Sequence, residues 1–131
     1  MNKTLMDFIQ RYFYKQNTGD TEGNRGQCVG LIEVWVDEHK AKHIPGNAKD
    51  LLDGAKNLGY QVTYNAAENY PPPGAIVVWD GTWGGGYGHT AIAVAADSMH
   101  LAVFEQNDPD GYPPLLATHD YSGVAGWIVI P

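Results

Sequence analysis

Apolar residues recur at helical spacing in the first half of the chain and at strand spacing in the second. Leu5, Phe8, Ile9, Tyr12 and Phe13 follow i, i+3, i+4, i+7, i+8, which predicts one face of a helix over about residues 3–16. The polar, glycine-rich run NTGDTEGNRGQ (17–27) breaks that pattern and reads as a loop. A second helix is predicted from Cys28, with Cys28, Leu31, Ile32, Trp35, Val36 and His39 on one stripe and Glu33, Asp37 and Lys40 on the other. IPG (44–46) ends it. Asn47 reads as the N-cap of a third helix, with Leu51, Leu52, Ala55 and Leu58 inside and Gly59 at its end.

Short strand-like runs follow. YQVTY (60–64) alternates, and PPPG (71–74) is a stiff turn into AIVVW (75–79). DGTWGGGYG (80–88) is a glycine-rich loop, and HTAIAVAA (89–96), LAVFEQN (101–107) and GWIVIP (126–131) complete the set. Strands so close in sequence pair antiparallel. The expected fold is α+β, with N-terminal helices packed on an antiparallel sheet. A chain of 131 residues suits one domain spanning 1–131, with the helix in residues 1–18 as part of it.

Charge narrows the partners. A net charge of −7 and a sequence pI near 4.9 argue against nucleic acid, whose phosphates demand Lys/Arg patches, and against docking on an anionic membrane. No run reaches the roughly 18 apolar residues of a membrane span, so no membrane insertion is expected. The N-terminal MNKTLMDFIQRYFYKQNTGD lacks the unbroken apolar core of a signal peptide, so the expectation is synthesis in the cytoplasm without one.

The single cysteine, Cys28, changes the picture most. It has no partner for an internal disulfide, which leaves a buried hydrophobe, an intermolecular link or a reactive thiol. It is the first apolar residue of its helix. Unpaired N–H groups and the helix dipole favour negative charge there, and hence a thiolate. A nucleophile needs a base and a group that orients the base. Five histidines are available. His39 and His43 have a spacing that can hold a metal, but HKAKH lacks a zinc peptidase's glutamate, and they read as cations near a helix C-terminus. His100 falls in a turn, and His119, in ATHDY, shows no partner pattern.

His89 differs, because it opens the most apolar strand directly after the glycine-rich loop. Glu105 and Asn107 are two apart and share a strand face, with Phe104 and Gln106 on the other. If 89–96 and 101–107 form a hairpin through ADSMH, then His89, Glu105 and Asn107 converge at one end of it. The alternative for Glu105 and Asn107 is a solvated strand end. Trp79, Trp83 and Tyr87 either line a groove beside His89 or serve packing.

These features together resemble the CHAP family, the cysteine, histidine-dependent amidohydrolase/peptidases. The resemblance rests on GQCVGL with Cys28, GHTAIAV with His89, FEQN with Glu105 and Asn107, PPPGAIVVW and GWIVIP, and covers about residues 19–131. It implies a papain-like fold and cleavage of peptidoglycan amide bonds, either as an N-acetylmuramoyl-L-alanine amidase or as a cross-bridge endopeptidase of a phage or prophage lysin. It assigns Cys28 as nucleophile, His89 as base, Glu105 as the group orienting the imidazole, Asn107 as a supporting polar residue and Gln27 as an oxyanion donor. The reaction needs no cofactor. Many phage members carry an acidic calcium loop before the cysteine, and here Asp20, Glu22 and Asn24 alternate with oxygen-ligand spacing, though Gly30 stands where those members have another acid. The alternatives are a cysteine amidase acting on a non-wall substrate and a non-catalytic wall-binding or virion module.

Overall fold

Helix α1 (Lys3–Tyr12) buries Leu5 and Phe8, as its spacing requires. It is shorter than the pattern predicts in this computed structural model, which describes residues 3–131. Tyr14 takes a left-handed φ of 63°, and its N–H donates to the Pro114 carbonyl at 3.0 Å, which turns the chain away. Helix α2 (Cys28–Glu38) starts at the cysteine, and α3 (Leu51–Asn57) follows a 3-10 turn over Ala48–Asp50. The Asp50 carboxylate accepts the Asn47 N–H at 3.2 Å, which closes that entry.

The sheet has six antiparallel strands: β1 (Gln61–Tyr64), β2 (Ile76–Trp79), β3 (His89–Ala96), β4 (His100–Glu105), β5 (Leu115–Asp120) and β6 (Val124–Val129). Their order is β1-β6-β2-β3-β4-β5. The architecture is therefore α+β as expected, with one strand more than the sequence pattern gave. β5 escaped notice because it is an edge strand whose residues alternate between half-buried and exposed, with no fully buried position to mark it.

The helices cover one face of the sheet. Leu31, Trp35, Leu51 and Phe8 pack there against Ile76, Val78, Ile92, Phe104 and Ile128. Burial of each such side chain contributes roughly 1.5–3 kcal/mol. The Trp35 Nε1–H donates to the Gly74 carbonyl at 2.9 Å, which pins α2 to the turn before β2. The opposite face carries the alternate residues Val77, Trp79, Ala91, Ala93, Leu101 and Val103.

The β3–β4 hairpin is what positions the site. Ile92 lies opposite Phe104, and Asp97 in the turn accepts from the N–H groups of Met99 and His100, each at 2.8 Å. This register brings His89 and Glu105 to the same end of the sheet, beneath the first turn of α2.

Candidate active site

A cleft of about 630 Å³ opens where the start of α2 meets the start of β3. Cys28, Gln27, His89, Asn107 and Tyr87 line it, with Asn24, Asn47 and Asp110 on its rim. Cys28 is half-buried rather than sealed in the core, so its thiol is reachable. Its backbone N–H is at the first helical position and has no intrahelical acceptor.

Close packing fixes the start of α2. At Gly30 an added Cβ would lie 2.2 Å from the Asn24 carbonyl oxygen and 2.5 Å from that of Thr18. Only glycine lets the helix sit this tightly on the preceding loop, which is the physical reason no acid stands there. Gln106, 1% exposed, clamps the same loop from below. Its Oε1 accepts the Thr18 N–H at 3.1 Å, and its Nε2 donates to the carbonyls of Thr18 (2.9 Å) and Gln27 (2.7 Å). The residue before the nucleophile candidate is thus tied to the residue after Glu105. The sequence reading put Gln106 on the far strand face and missed this clamp.

Gln27 and Asn107 meet across the cleft floor, where Asn107 Nδ2 donates to Gln27 Oε1 at 3.2 Å. With its oxygen engaged, Gln27 keeps its Nε2 donors for the cleft, beside the Cys28 N–H. Asn107 also closes the next turn: its Oδ1 accepts the Gly111 N–H at 2.6 Å, and its φ of 67° is left-handed.

His89 is 4% exposed and Glu105 2%. His89 Nε2 lies 2.9 Å from Glu105 Oε1. An ionised carboxylate only accepts, so Nε2 carries the proton and donates. The other ring nitrogen, Nδ1, is left for Cys28, the second group that favours the protonated ring. Burial by itself lowers the His89 pKa, but the bonds to Cys28 and Glu105 override it and push it up to about 9. Burial likewise acts to raise the Glu105 carboxyl, and the two histidines that donate to it hold it below its ordinary value.

The second of those histidines is His119, whose Nε2 donates to the same Glu105 Oε1 at 2.9 Å. The sequence reading found no partner for it. The available signal was the alternation Leu115, Ala117, His119, which sets these side chains on one face of β5. Pairing puts His119 opposite Leu101 and Glu105 opposite Leu115, so the contact runs diagonally along that face past Ala117, which is too small to block it.

The aromatic expectations divide. Tyr87 lines the cleft and is 65% exposed. Trp79, expected in the groove, is instead 0% exposed. Alternation sets it with Val77 on the sheet face away from the helices, where Trp83, His89 and His119 pack around its indole. Trp83 does not line the cleft either. It stacks on His89, with ring centroids 5.8 Å apart and planes 18° apart. An indole face against an imidazolium favours the charged form.

The loop singled out for calcium is held by Glu33. Its carboxylate accepts from the Asp20 and Thr21 N–H groups (3.2 Å each), Thr21 Oγ1 (2.7 Å) and Asn24 Nδ2 (3.1 Å). Glu22 is exposed in a 3-10 turn. Asp20 groups with Asp37 and His43, each offering a ligand atom within 4.8 Å of the others, all three exposed.

The chain is similar to known proteins in the same arrangement. The CHAP domain model matches residues 17–107. Endolysin PlyTW of Staphylococcus phage Twort is 33% identical over 139 residues, covering 96% of this chain and 30% of that protein. The solved endolysin LysIME-EF1 superposes with a TM-score of 0.76 at 25% identity, over 99% of this chain and 63% of that one. Ly7917 superposes at 0.71 with 20% identity, a likeness of fold alone, over 99% of this chain and 62% of that one. The chain thus spans less than two thirds of each of these proteins. With over half its length matched by the family model, and with its fold shared by solved endolysins, the chain belongs to the CHAP domain family.

Proposed function

We propose that this chain is the catalytic unit of a phage or prophage peptidoglycan hydrolase that cleaves an amide bond of the bacterial cell wall. Cys28 is the nucleophile, His89 the acid and base, and Glu105 the group that orients His89. The observation that carries this reading is the line Cys28–His89–Glu105, with the thiol at a cleft and the carboxylate buried behind the imidazole. The likeness to Endolysin PlyTW supports the wall as substrate.

The steps proposed are those of a cysteine hydrolase. His89 holds its proton up to about pH 9, so an imidazolium stands beside the Cys28 sulfur at neutral pH. The thiolate attacks the amide carbonyl, and the developing oxyanion faces the Cys28 N–H and the Gln27 Nε2. Loss of one such donor costs about 100- to 1,000-fold in rate. His89 Nδ1–H protonates the leaving amine, giving an acyl-enzyme. The neutral imidazole then takes a proton from water, hydroxide attacks the thioester, and thiolate and imidazolium are restored. Asn107 holds Gln27 in place, and Tyr87 is the aromatic wall available to the substrate.

The test is incubation of the protein and its Cys28→Ala variant with peptidoglycan sacculi, followed by mass spectrometry of released fragments. New amine ends from the wild type alone are expected. An amine on L-alanine beside free N-acetylmuramic acid identifies an amidase, and an amine on a bridge residue identifies an endopeptidase. A folded wild type that releases nothing from any wall type overturns the wall reading.

A further inference from the structure

Glu105 has one more partner than the proposed reaction uses. Its Oε1 accepts from His89 and His119 at the same distance, 2.9 Å. Neither donor is free to leave. His119 stands edge-on to Trp79 at 5.4 Å and to Trp83 at 5.2 Å, the two indoles that also hold His89. The Asp108 carboxylate lies 3.9 Å from its Nε2 on the remaining side. The side chains of Glu105 and His119 are 3% and 17% exposed, so water competes poorly for these bonds. His119 also lies beyond the residues matched by the family model.

We propose that His119 is a positioning residue of the hydrolase: it fixes the carboxylate that orients His89. This rests on the reading of Cys28, His89 and Glu105 given above. A carboxylate with one donor can rotate its second oxygen, and the whole group, about its side-chain bonds. With two donors converging on Oε1 it cannot turn without breaking one. The bond to Glu105 foremost, against burial, raises the His119 pKa above the ordinary histidine value, with Asp108 adding to the rise and His89 opposing it. The charged groups around His119 are Glu105 on β4, Asp108 after it, His89 on β3 and, through His89, Cys28 on α2.

Two variants separate the hydrogen bond from the ring packing. H119Q keeps an amide donor without the ring, and H119F keeps a ring between the indoles without the donor. Three readings are taken on the full chain: wall hydrolysis against pH, iodoacetamide alkylation of Cys28 against pH by intact mass, and the melting temperature. Because Cys28 is the only cysteine, alkylation reports the thiolate–imidazolium pair without any wall substrate. H119F is expected to lose about tenfold in hydrolysis, the scale at which a partner orienting a functional ligand acts. H119Q is expected to recover most of that loss. In H119F the alkaline limb set by His89 moves to lower pH, because a Glu105 with only one donor holds the His89 proton less firmly, and in H119Q it stays near the wild-type position. The same movement in alkylation, in a protein that cleaves no wall, sustains His119 while overturning the wall substrate. Two outcomes overturn the proposal: wild-type rates and limbs in both variants, or equal losses in both that follow melting temperature with the limbs unmoved.

Discussion

Two clusters in this molecule are built from the same parts. In one, His43 Nε2 meets Asp37 at 2.8 Å and Asp20 at 3.4 Å. In the other, Glu105 meets His89 and His119 at 2.9 Å each. Residue types and distances nearly match, but surroundings do not. The His43, Asp37 and Asp20 side chains are 40%, 47% and 40% exposed, against 5%, 3% and 17% for His89, Glu105 and His119. Two charges 4 Å apart attract by about 1 kcal/mol in water and by several times that at the low effective dielectric of a protein. Contact alone therefore says little about what a cluster does. Burial, with two imidazoles on one carboxylate oxygen, is what sets the second cluster apart. The first is a surface group whose attraction is screened by salt.

The sharpest way to break this contrast is at the thiol. Cys28→Ala should reduce wall hydrolysis by on the order of 10⁴- to 10⁶-fold, as removal of a nucleophile does in comparable sites, while the fold stays intact. Circular dichroism and a melting curve check the second half. Next comes Glu105→Ala, which leaves two buried imidazoles with no acceptor. Breaking a buried pair from one side costs roughly 3–5 kcal/mol, so chemical denaturation should show a loss of that size along with inactivity.

Protonation offers a third test. His89 has its pKa raised from 6.5 to about 9, so its ion-pair stabilisation is fully present below 6.5 and lost as pH rises through 9. The difference amounts to on the order of 3 kcal/mol. Stability and hydrolysis should therefore fall together above pH 9. An imidazole NMR titration should find His89 near that value in the wild type and lower in Cys28→Ala, where burial is opposed by Glu105 alone. A His89 that titrates near 6.5 in the wild type ends the claim that burial sets the two clusters apart. Glu105 works in the opposite direction: its carboxyl is held low, so its contribution is present above the ordinary glutamate range and is lost in acid.

Much of this arrangement is legible in the sequence, for reasons that can be named. Cys28 opens α2 as expected because five apolar positions at helical spacing leave one way to face the sheet. His89 and Glu105 converge because a short polar turn fixes the register of one hairpin, and register is local. His119 was not legible, since its contact depends on pairing between β4 and a weakly patterned edge strand ten residues farther on. Trp79 was misplaced because a strand end reads as open, whereas alternation sets it with Val77 on the face away from the helices, where Trp83, His89 and His119 cover it. Gln106 escaped because β4 ends at Glu105 and Asn107 turns left-handed, so the two-residue period stops where the clamp begins.

The loop before the thiol lies between the two clusters, and Glu33 connects them. It accepts the four loop donors and lies 3.9 Å from His43, with 11% of its side chain exposed. Glu33→Ala leaves those donors to water and should cost about 1–3 kcal/mol. Hydrolysis should fall with it, because the 18–27 loop carries the carbonyl that Gln106 holds behind Cys28. Asp37→Asn is the control and the smallest effect. It removes one partner of His43 at the surface, leaves Glu33 in place, and should change stability by less than about 0.5 kcal/mol, with hydrolysis unaltered. Whatever effect it has should vanish in molar salt, where the screening length is about 3 Å, whereas the loss in Glu105→Ala should persist there. A cost above about 2 kcal/mol for Asp37→Asn, insensitive to salt, would mean that the exposed cluster is mechanically joined to the catalytic loop. Burial would then no longer be what distinguishes the two groups, and the distinction would lie in which loop each one braces.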